Sequence, residues 1–288
     1  MMRHAPSIGL GLGLSLRGSG GVGFRGLLDQ YGGAAAAYSL RALSSGWLAG
    51  DVVEVRRSSD STTDSFTASQ ITSGELEAFC GAGDGFVSTW YDQSGNANNA
   101  TQATTTAQPK IVDAGALVTG GIDFDGVDDR LTCSSMYSAD LSVFATATTD
   151  DTVNTANYMR MLHICDGVDS FQITRGGQAD IGLLCSKNTS FQAGVDAFKH
   201  GAINGENLIT TITSAIETDA YVDGSLGSNS ATDLGSGNSA ITTIGARDDL
   251  SASSFFAGSF AEIIIYPTDE SANRAAIETN INDFYSIY

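Results

Sequence analysis

The chain has 288 residues, with 33 Asp and Glu against 14 Lys and Arg, so its formal net charge at pH 7 is −19. Proteins that bind nucleic acid through its phosphates need clustered positive charge, so this composition argues against a nucleic-acid partner. No run of residues approaches the roughly 18 consecutive apolar positions of a membrane-spanning helix, and we expect no membrane segment. A chain of this length can bury a core without metals or disulfides.

Residues 1–26 differ from the rest of the chain in charge and composition. They are rich in Gly and Leu and hold no acidic residue, and their basic residues are the three arginines Arg3, Arg17 and Arg25. Such a segment has too little apolar surface to offset its own ordering entropy. We predict an extended arm that anchors to a partner, followed by one domain at 27–288. A secretory signal is the alternative, but glycines interrupt its apolar stretch and no small-residue cleavage site follows.

The first periodic segment lies between Leu27 and Leu43, where apolar residues recur at helical spacing and predict one or two short helices. From Val52 onward, short β-type runs alternate with Gly and Asp turns, as is typical of a sandwich or jelly roll. The predicted strands are 52–57, 85–91, 121–124, 130–133, 141–146, 159–165, 170–174, 181–186, 208–212, 220–222, 240–244 and 259–266.

The last segment is again helical in pattern. Ser271 can cap a helix, and the apolar stripe behind it consists of Ile277, Ile281, Phe284 and Tyr288. The fold-class prediction is therefore all-β: a β-sandwich of the jelly-roll type with short N-terminal and C-terminal helices. The four cysteines form no Cys-x-x-Cys pair, which favours buried free thiols over a disulfide.

A loop of short polar residues follows the predicted strand that ends in Trp90 and Tyr91. These two rings could stack on a sugar, while Asp92 and Asn96 could hydrogen-bond to its hydroxyl groups. The alternative is a loop held by its own side chains through Asx turns, which the chemistry by itself favours.

Three carboxylates surround the Asp-Gly turn that follows residue 124: Asp125, Asp128 and Asp129. Calcium takes six to eight oxygen ligands, so these residues are weak candidates for a calcium site. Their spacing does not match the known helix-loop-helix calcium loop, and a hairpin turn is the favoured interpretation. We expect no other cofactor. A third polar motif, Arg247-Asp248-Asp249, follows a predicted strand and is not explained by it.

Residues 124–129, 221–224 and 256–266, followed by a short helix, resemble the laminin-G-like, concanavalin A-like jelly-roll family over roughly residues 120–285. Residues 38–43 and 55–60, and above all 90–98, resemble the catalytic domain of the fungal arabinofuranosidase B family. Both resemblances imply one β-sandwich. The whole chain also resembles modules found in virion proteins of tailed phages of marine bacteria.

The arabinofuranosidase resemblance implies a retaining mechanism, with two carboxyl groups about 5 Å apart. The family's acid/base is an aspartate before the last strands, which would be Asp248 or Asp249. Its nucleophile is a mid-chain glutamate, but no glutamate lies between Glu77 and Glu206. Asp180 is the nearest acidic substitute, and its shorter side chain would misplace the reacting oxygen. The sequence therefore supports transfer of the fold better than transfer of the activity.

From these observations we predict a non-catalytic protein on the virion surface of a phage. The arm would dock on a capsid or tail protein, and the sandwich, in several copies of a homo-oligomer, would bind host-surface polysaccharide weakly but many times over. The candidate sugar contacts are Trp90, Tyr91, Asp92, Asn96, Arg247, Asp248 and Asp249. Two alternatives remain open: a secreted, retaining arabinofuranosidase that uses Asp180 with Asp248 or Asp249, and a purely structural capsid cement protein.

Overall fold

A computed structural model describes residues 23–149, 159–175, 182–189, 192–202, 205–214, 218–230, 239–248 and 254–288. Most of the predicted arm, including Arg3 and Arg17, lies outside these ranges, as do Asp180 and Asp249. Arg25 is described and exposed. Within the described ranges, no helix is both long and apolar enough to cross a membrane.

Short strands dominate the fold. The first ten are β1 (Ala36–Ser39), β2 (Asp51–Arg57), β3 (Thr63–Thr67), β4 (Gly85–Trp90), β5 (Ala100–Thr101), β6 (Lys110–Asp113), β7 (Ala116–Leu117), β8 (Ile122–Asp125), β9 (Leu131–Ser134) and β10 (Leu141–Thr149). They are followed by β11 (Met159–Cys165), β12 (Ser170–Arg175), β13 (Gly182–Thr189), β14 (Gln192–Ala202), β15 (Glu206–Thr213), β16 (Thr218–Val222), β17 (Ser225–Leu226), β18 (Ser228–Ser230), β19 (Ile241–Ile244) and β20 (Ala257–Tyr266). The helices are α1 (Ala68–Thr72), α2 (Glu75–Cys80) and α3 (Arg274–Tyr285).

All the strand pairings are antiparallel and form two layers. The front sheet runs β3-β2-β4-β6-β8-β20-β10-β15-β16-β17, and β1 pairs with the part of β20 that lies beyond β8. The rear sheet runs β5-β9-β19-β11-β12-β13-β14-β18. Strand β4 joins the layers, because its first residues pair with β6 and its last residues pair with β5. The predicted all-β sandwich is therefore confirmed.

The core lies between the two sheets and follows the two-residue period of the strands. Val143 and Ala145 of β10 belong to this core together with Ile173 of the rear sheet. Phe144, between them in the chain, points the other way and packs with Ile277 of α3 in a second apolar cluster. The front sheet is thus covered on both faces.

The twelve predicted strands all have counterparts in the structure, but eight strands were not predicted: β1, β3, β5, β6, β7, β14, β17 and β18. The helix predicted between residues 27 and 43 was wrong. Ala36–Ser39 forms β1 there, with Ala37 opposite Ile264 of β20. Alanine has a high helix propensity, but pairing with a buried strand overrides so small a preference.

Short helices do occur near the N-terminus, but later in the chain. Helix α1 begins where the Thr67 side chain accepts a hydrogen bond from the Gln70 amide while the Gln70 side chain accepts one from the Thr67 amide. This reciprocal capping satisfies two amides that the first helical turn leaves unpaired. Three of the four cysteines are buried free thiols as predicted, and Cys133 is half-buried.

The C-terminal helix is confirmed with two corrections. It begins at Arg274, after Asn273, and not at Ser271. Of its predicted apolar stripe, Ile277 and Ile281 are fully buried, whereas Phe284 and Tyr288 are 38% and 54% exposed.

A buried ion pair connects β20 with the segment after β1 and with α3. Glu262, on the face of β20 that α3 covers, has a fully buried side chain, and Arg41 contacts both of its oxygens, at 2.7 and 3.0 Å. The hydroxyls of Ser39 and Tyr285 donate to the same carboxylate at 2.8 and 3.2 Å. Both charges are therefore compensated by close, well-directed partners.

We expect Glu262→Ala to lower the free energy of unfolding by about 3–5 kcal/mol, because it leaves the Arg41 guanidinium buried without its counter-ion. Urea unfolding at neutral pH measures the change. Asp60→Ala, which removes the exposed pair of Asp60 with Arg57, is the control and should change stability little. Equal losses of unfolding free energy in the two variants would show that the buried pair stabilises the fold no more than the exposed pair does.

Candidate functional site

Trp90 does not reach the surface. Its side chain is fully buried, opposite Val53 of β2 in the strand register, with the Tyr38 ring 5.6 Å away between centroids. The prediction that Trp90 stacks on a sugar was wrong, because the last residue of β4 points into the core rather than into the loop.

Asp92 is also buried and serves the backbone. Its carboxylate accepts hydrogen bonds from the amides of Ala37, Ser94 and Asn98 at 2.9 to 3.0 Å, and from the Ser94 hydroxyl at 2.8 Å. The loop is therefore held by its own side chains, which is the alternative that the sequence left open, and it is fastened to β1.

Tyr91 and Asn96 keep part of their surface. Tyr91 is half-buried, with its hydroxyl 3.0 Å from that of Ser65. Asn96 is exposed, but its amide nitrogen donates to the carbonyls of Ala34 and Ala35 at 2.9 and 3.1 Å. A sugar contact at either residue stays a prediction, while the contacts present are structural.

We expect Trp90→Ala to cost about 3–5 kcal/mol of stability, because it leaves a large cavity beside Tyr38. Chemical denaturation followed by far-ultraviolet circular dichroism measures the loss. Trp47→Ala is the matched control: Trp47 is only half-buried and should cost clearly less. A Trp90→Ala protein as stable as the Trp47→Ala protein would contradict the burial.

The acidic turn between β8 and β9 is held by its own backbone contacts. Asp125 accepts from the Val127 amide at 2.8 Å, and Asp129 accepts from the Asp125 amide at 3.0 Å. Ligand oxygens of Asp125, Asp128 and Asp129 all lie within 4.8 Å of one another. These are the described carboxylates that could hold a cation, and calcium there stays a prediction. Burial, reinforced by the charge of Asp125, raises the pKa of Asp129 from 3.8 to about 7.

This shift makes stability depend on pH. Because the folded state binds the Asp129 proton more tightly than the unfolded state, stability falls as pH rises from about 4 to about 7. Asp129→Asn removes that loss, so its advantage over the wild type should grow across this window to roughly 1–3 kcal/mol. Urea unfolding at several pH values checks this, with Asp113→Asn on an exposed residue as control. An advantage that is constant with pH would contradict the shift.

Arg247 and Asp248 lie in the loop after β19. The Asp248 side chain is 2% exposed. One of its oxygens accepts from the Ser239 amide at 2.9 Å, and the other lies 3.4 Å from Nδ1 of His163 and 3.9 Å from Nε of Arg247. The structure thus brings Arg247 and Asp248 together, and it adds a histidine that the sequence analysis did not single out.

His163 belongs to a polar group on the side of the rear sheet that faces away from the core. In the strand register it lies opposite Gln172 of β12, and both side chains are fully buried. The Gln172 carbonyl oxygen accepts from Nε of Arg160 at 2.8 Å. We call Arg160, His163, Gln172 and Asp248 the Asp248 cluster. It contains one carboxylate, one imidazole, one guanidinium group and one side-chain amide.

Gly245 brings the Asp248 loop to this position. Its φ is 85°, and a Cβ atom there would lie 2.3 Å from the ring of Phe124. Its amide donates to the Met161 carbonyl, and its own carbonyl accepts from the Phe256 amide. Only glycine fits this approach between the two sheets, so the residue fixes where the loop leaves β19.

The sequence showed the polar residues of β12 but did not show that they are buried in a cluster. Residues 170–174 alternate polar and apolar side chains, a pattern that usually marks a face in contact with water. In the structure that polar face is buried as well, with Ser170, Gln172 and Thr174 fully inaccessible. Alternation of polar and apolar residues does not distinguish a buried polar face from one that is exposed to solvent.

Comparisons with known proteins agree with the fold. The family model of the alpha-L-arabinofuranosidase B catalytic domain matches residues 30–126, which confirms the predicted similarity of the front half. No curated protein matches the chain significantly. The resemblance to laminin-G-like and concanavalin A-like domains and to phage proteins stays a prediction.

Several solved structures are similar over most of the chain. An arabinofuranosidase in complex with arabinofuranosyl-alpha-1,2-xylobiose has a TM-score of 0.60 at 17% identity, over 88% of this chain and 63% of that one. A GH54 α-L-arabinofuranosidase soaked with a cyclic sulfate inhibitor has a TM-score of 0.60 at 16% identity, with the same coverage. At such identities the similarity shows the fold alone, and this chain spans less than two thirds of those proteins.

Proposed function

We propose that this protein is an arabinofuranosidase-like glycoside hydrolase that removes α-L-arabinofuranosyl groups from polysaccharide, with Asp248 as the general acid/base. The observation that carries the proposal is a buried carboxylate beside an imidazole, on a fold similar to arabinofuranosidases. Fold similarity alone would not be enough, because one fold hosts many functions.

Its histidine neighbour separates Asp248 from the other buried acidic residues. Among the described residues, five carboxylate side chains are buried: Asp92, Asp129, Asp248, Glu262 and Glu278. Asp92 and Asp129 hold backbone turns, while Glu262 and Glu278 are paired with arginines. Asp248 alone in this set faces a histidine, a group that can exchange protons near neutral pH.

The chemistry requires an acid and a second carboxyl group. Asp248 would give its proton to the leaving oxygen of the glycoside and later accept one from water. Asp180, outside the described residues, is our proposed nucleophile. Arg160 and Gln172 are buried and hydrogen-bonded to each other, so they would support the cluster from within rather than contact the sugar.

Hydrolysis of 4-nitrophenyl α-L-arabinofuranoside and release of arabinose from arabinan test the proposal. The wild type should act on both, and Asp248→Asn should lower kcat by about 10²- to 10⁴-fold, because the amide has no proton to transfer. Asp113→Asn, the same change on an exposed residue, should leave kcat unchanged. A wild type without activity, or an Asp248→Asn protein as active as the wild type, would rule the assignment out.

The virion-surface hypothesis stays a prediction. Its docking arm and its capsid or tail partner depend on residues 1–26, most of which lie outside the described ranges, and its homo-oligomer stays a prediction as well. If arabinan in the gel slows the wild type in affinity electrophoresis and the protein does not hydrolyse it, polysaccharide binding without catalysis becomes the better hypothesis.

A further inference from the structure

His163 makes two contacts with Asp248 through one atom. The backbone amide of Asp248 donates to Nδ1 of His163 at 3.3 Å, and a carboxyl oxygen of Asp248 lies 3.4 Å from the same nitrogen. One ring nitrogen therefore meets both the main chain and the side chain of the proposed acid.

An imidazole nitrogen can accept a hydrogen bond or donate one, but not both. If Nδ1 accepts from the Asp248 amide, it carries no proton, and the neutral ring keeps its proton on Nε2. An ionised carboxylate would then face a lone pair across 3.4 Å. A protonated carboxyl group carries no negative charge, which removes this repulsion.

We propose that His163, as the neutral Nε2–H tautomer, is a positioning residue that holds the Asp248 loop in place and presents the Asp248 carboxyl group in its protonated form. The inference rests on the proposed function, since it explains how that carboxyl group is ready to act as an acid. It assigns a role to a residue that lies in none of the three motifs that the sequence singled out.

Other groups face the pair and must be weighed. Arg247 Nε, 3.9 Å from the carboxyl oxygen, and the Ser239 amide, 2.9 Å from the other oxygen, favour the ionised form. Burial of a side chain that is 2% exposed favours the neutral form. Cys165, two residues along β11, is buried, and burial raises the pKa of its thiol, so it adds no charge. Nε of Arg160 donates to the Gln172 side chain at 2.8 Å.

Protonation of His163 would break this contact. With one further proton on the pair, Nδ1 carries a hydrogen and can no longer accept from the Asp248 amide, while the carboxyl group keeps its own proton. The Asp248 loop would then lose its hold, so activity should fall on the acidic side as His163 gains its proton.

The tautomer can be measured without any substrate. Nitrogen-15 NMR of the histidine side chains in the wild type, with the His163 signals assigned by their loss in His163→Asn, reports which ring nitrogen carries the proton. We expect Nδ1 to be unprotonated at neutral pH. A proton on Nδ1 at that pH would overturn the inference, whatever the enzyme's activity.

Kinetics test the consequence for the reaction. His163→Leu removes the acceptor at similar volume and should lower kcat by about 100-fold with little change in KM, as expected for a misplaced reacting group. His163→Asn offers a carbonyl oxygen to the same amide. It should restore most of kcat, and its acidic limb should no longer show the titration of a histidine.

Thr243→Val is the matched control, because Thr243 lies opposite His163 in the strand register and is equally buried. It should leave the pH profile unchanged. An active wild type whose acidic limb is the same in His163→Asn would overturn the inference while leaving the proposed function intact. An inactive wild type with unprotonated Nδ1 would instead overturn the proposed function and, with it, the catalytic role of the contact.

Discussion

All ten residues of β20 are buried, and this burial on both faces sets the requirements for the rest of the front sheet. Its inner face packs into the core between the sheets, and its outer face needs a second cover, which α3 and the segment around β1 provide. Glu262 is the one charge on this strand, so it needs Arg41 from that segment. The Asp92 loop holds the segment against β20 by bonding to the Ala37 amide. The segment around β1, helix α3 and the buried strand β20 therefore depend on one another.

Two buried carboxylates show how different surroundings lead to different roles. Glu262 has two close contacts from Arg41 and two hydroxyl donors, so its charge is fully committed. Asp248 accepts from the Ser239 amide at 2.9 Å, and its other oxygen lies 3.4 Å from the His163 imidazole of β11 and 3.9 Å from Nε of the neighbouring Arg247. A carboxyl group with longer contacts to a titratable partner can change its protonation state at moderate cost, whereas removing either member of the close Glu262–Arg41 pair would leave the other charge without its partner.

The region of recognisable sequence similarity and the proposed site lie in different parts of the chain. The family match covers residues 30–126, which hold β1 to β8 and the loop that fastens β1. The Asp248 cluster comes from β11, β12 and the loop after β19. The shared segment is thus mainly scaffold: Trp90 fills the core, and Asp92 caps backbone amides. Similarity of the scaffold supports the fold, and the case for an activity has to come from the cluster itself.

The sequence by itself determined the strands whose signals are local, such as β11, β12 and β20, and the position of α3, because residue periodicity and turn residues act over a few positions. It also singled out Asp248 as a candidate site residue. Only the tertiary structure decided that the alanine-rich segment becomes β1, that Trp90 points inward and that the polar face of β12 is covered. Each of these depends on what lies opposite a residue in space. Local preferences are worth less than about 1 kcal/mol per residue, whereas pairing with a buried strand or filling a core position is worth several times more.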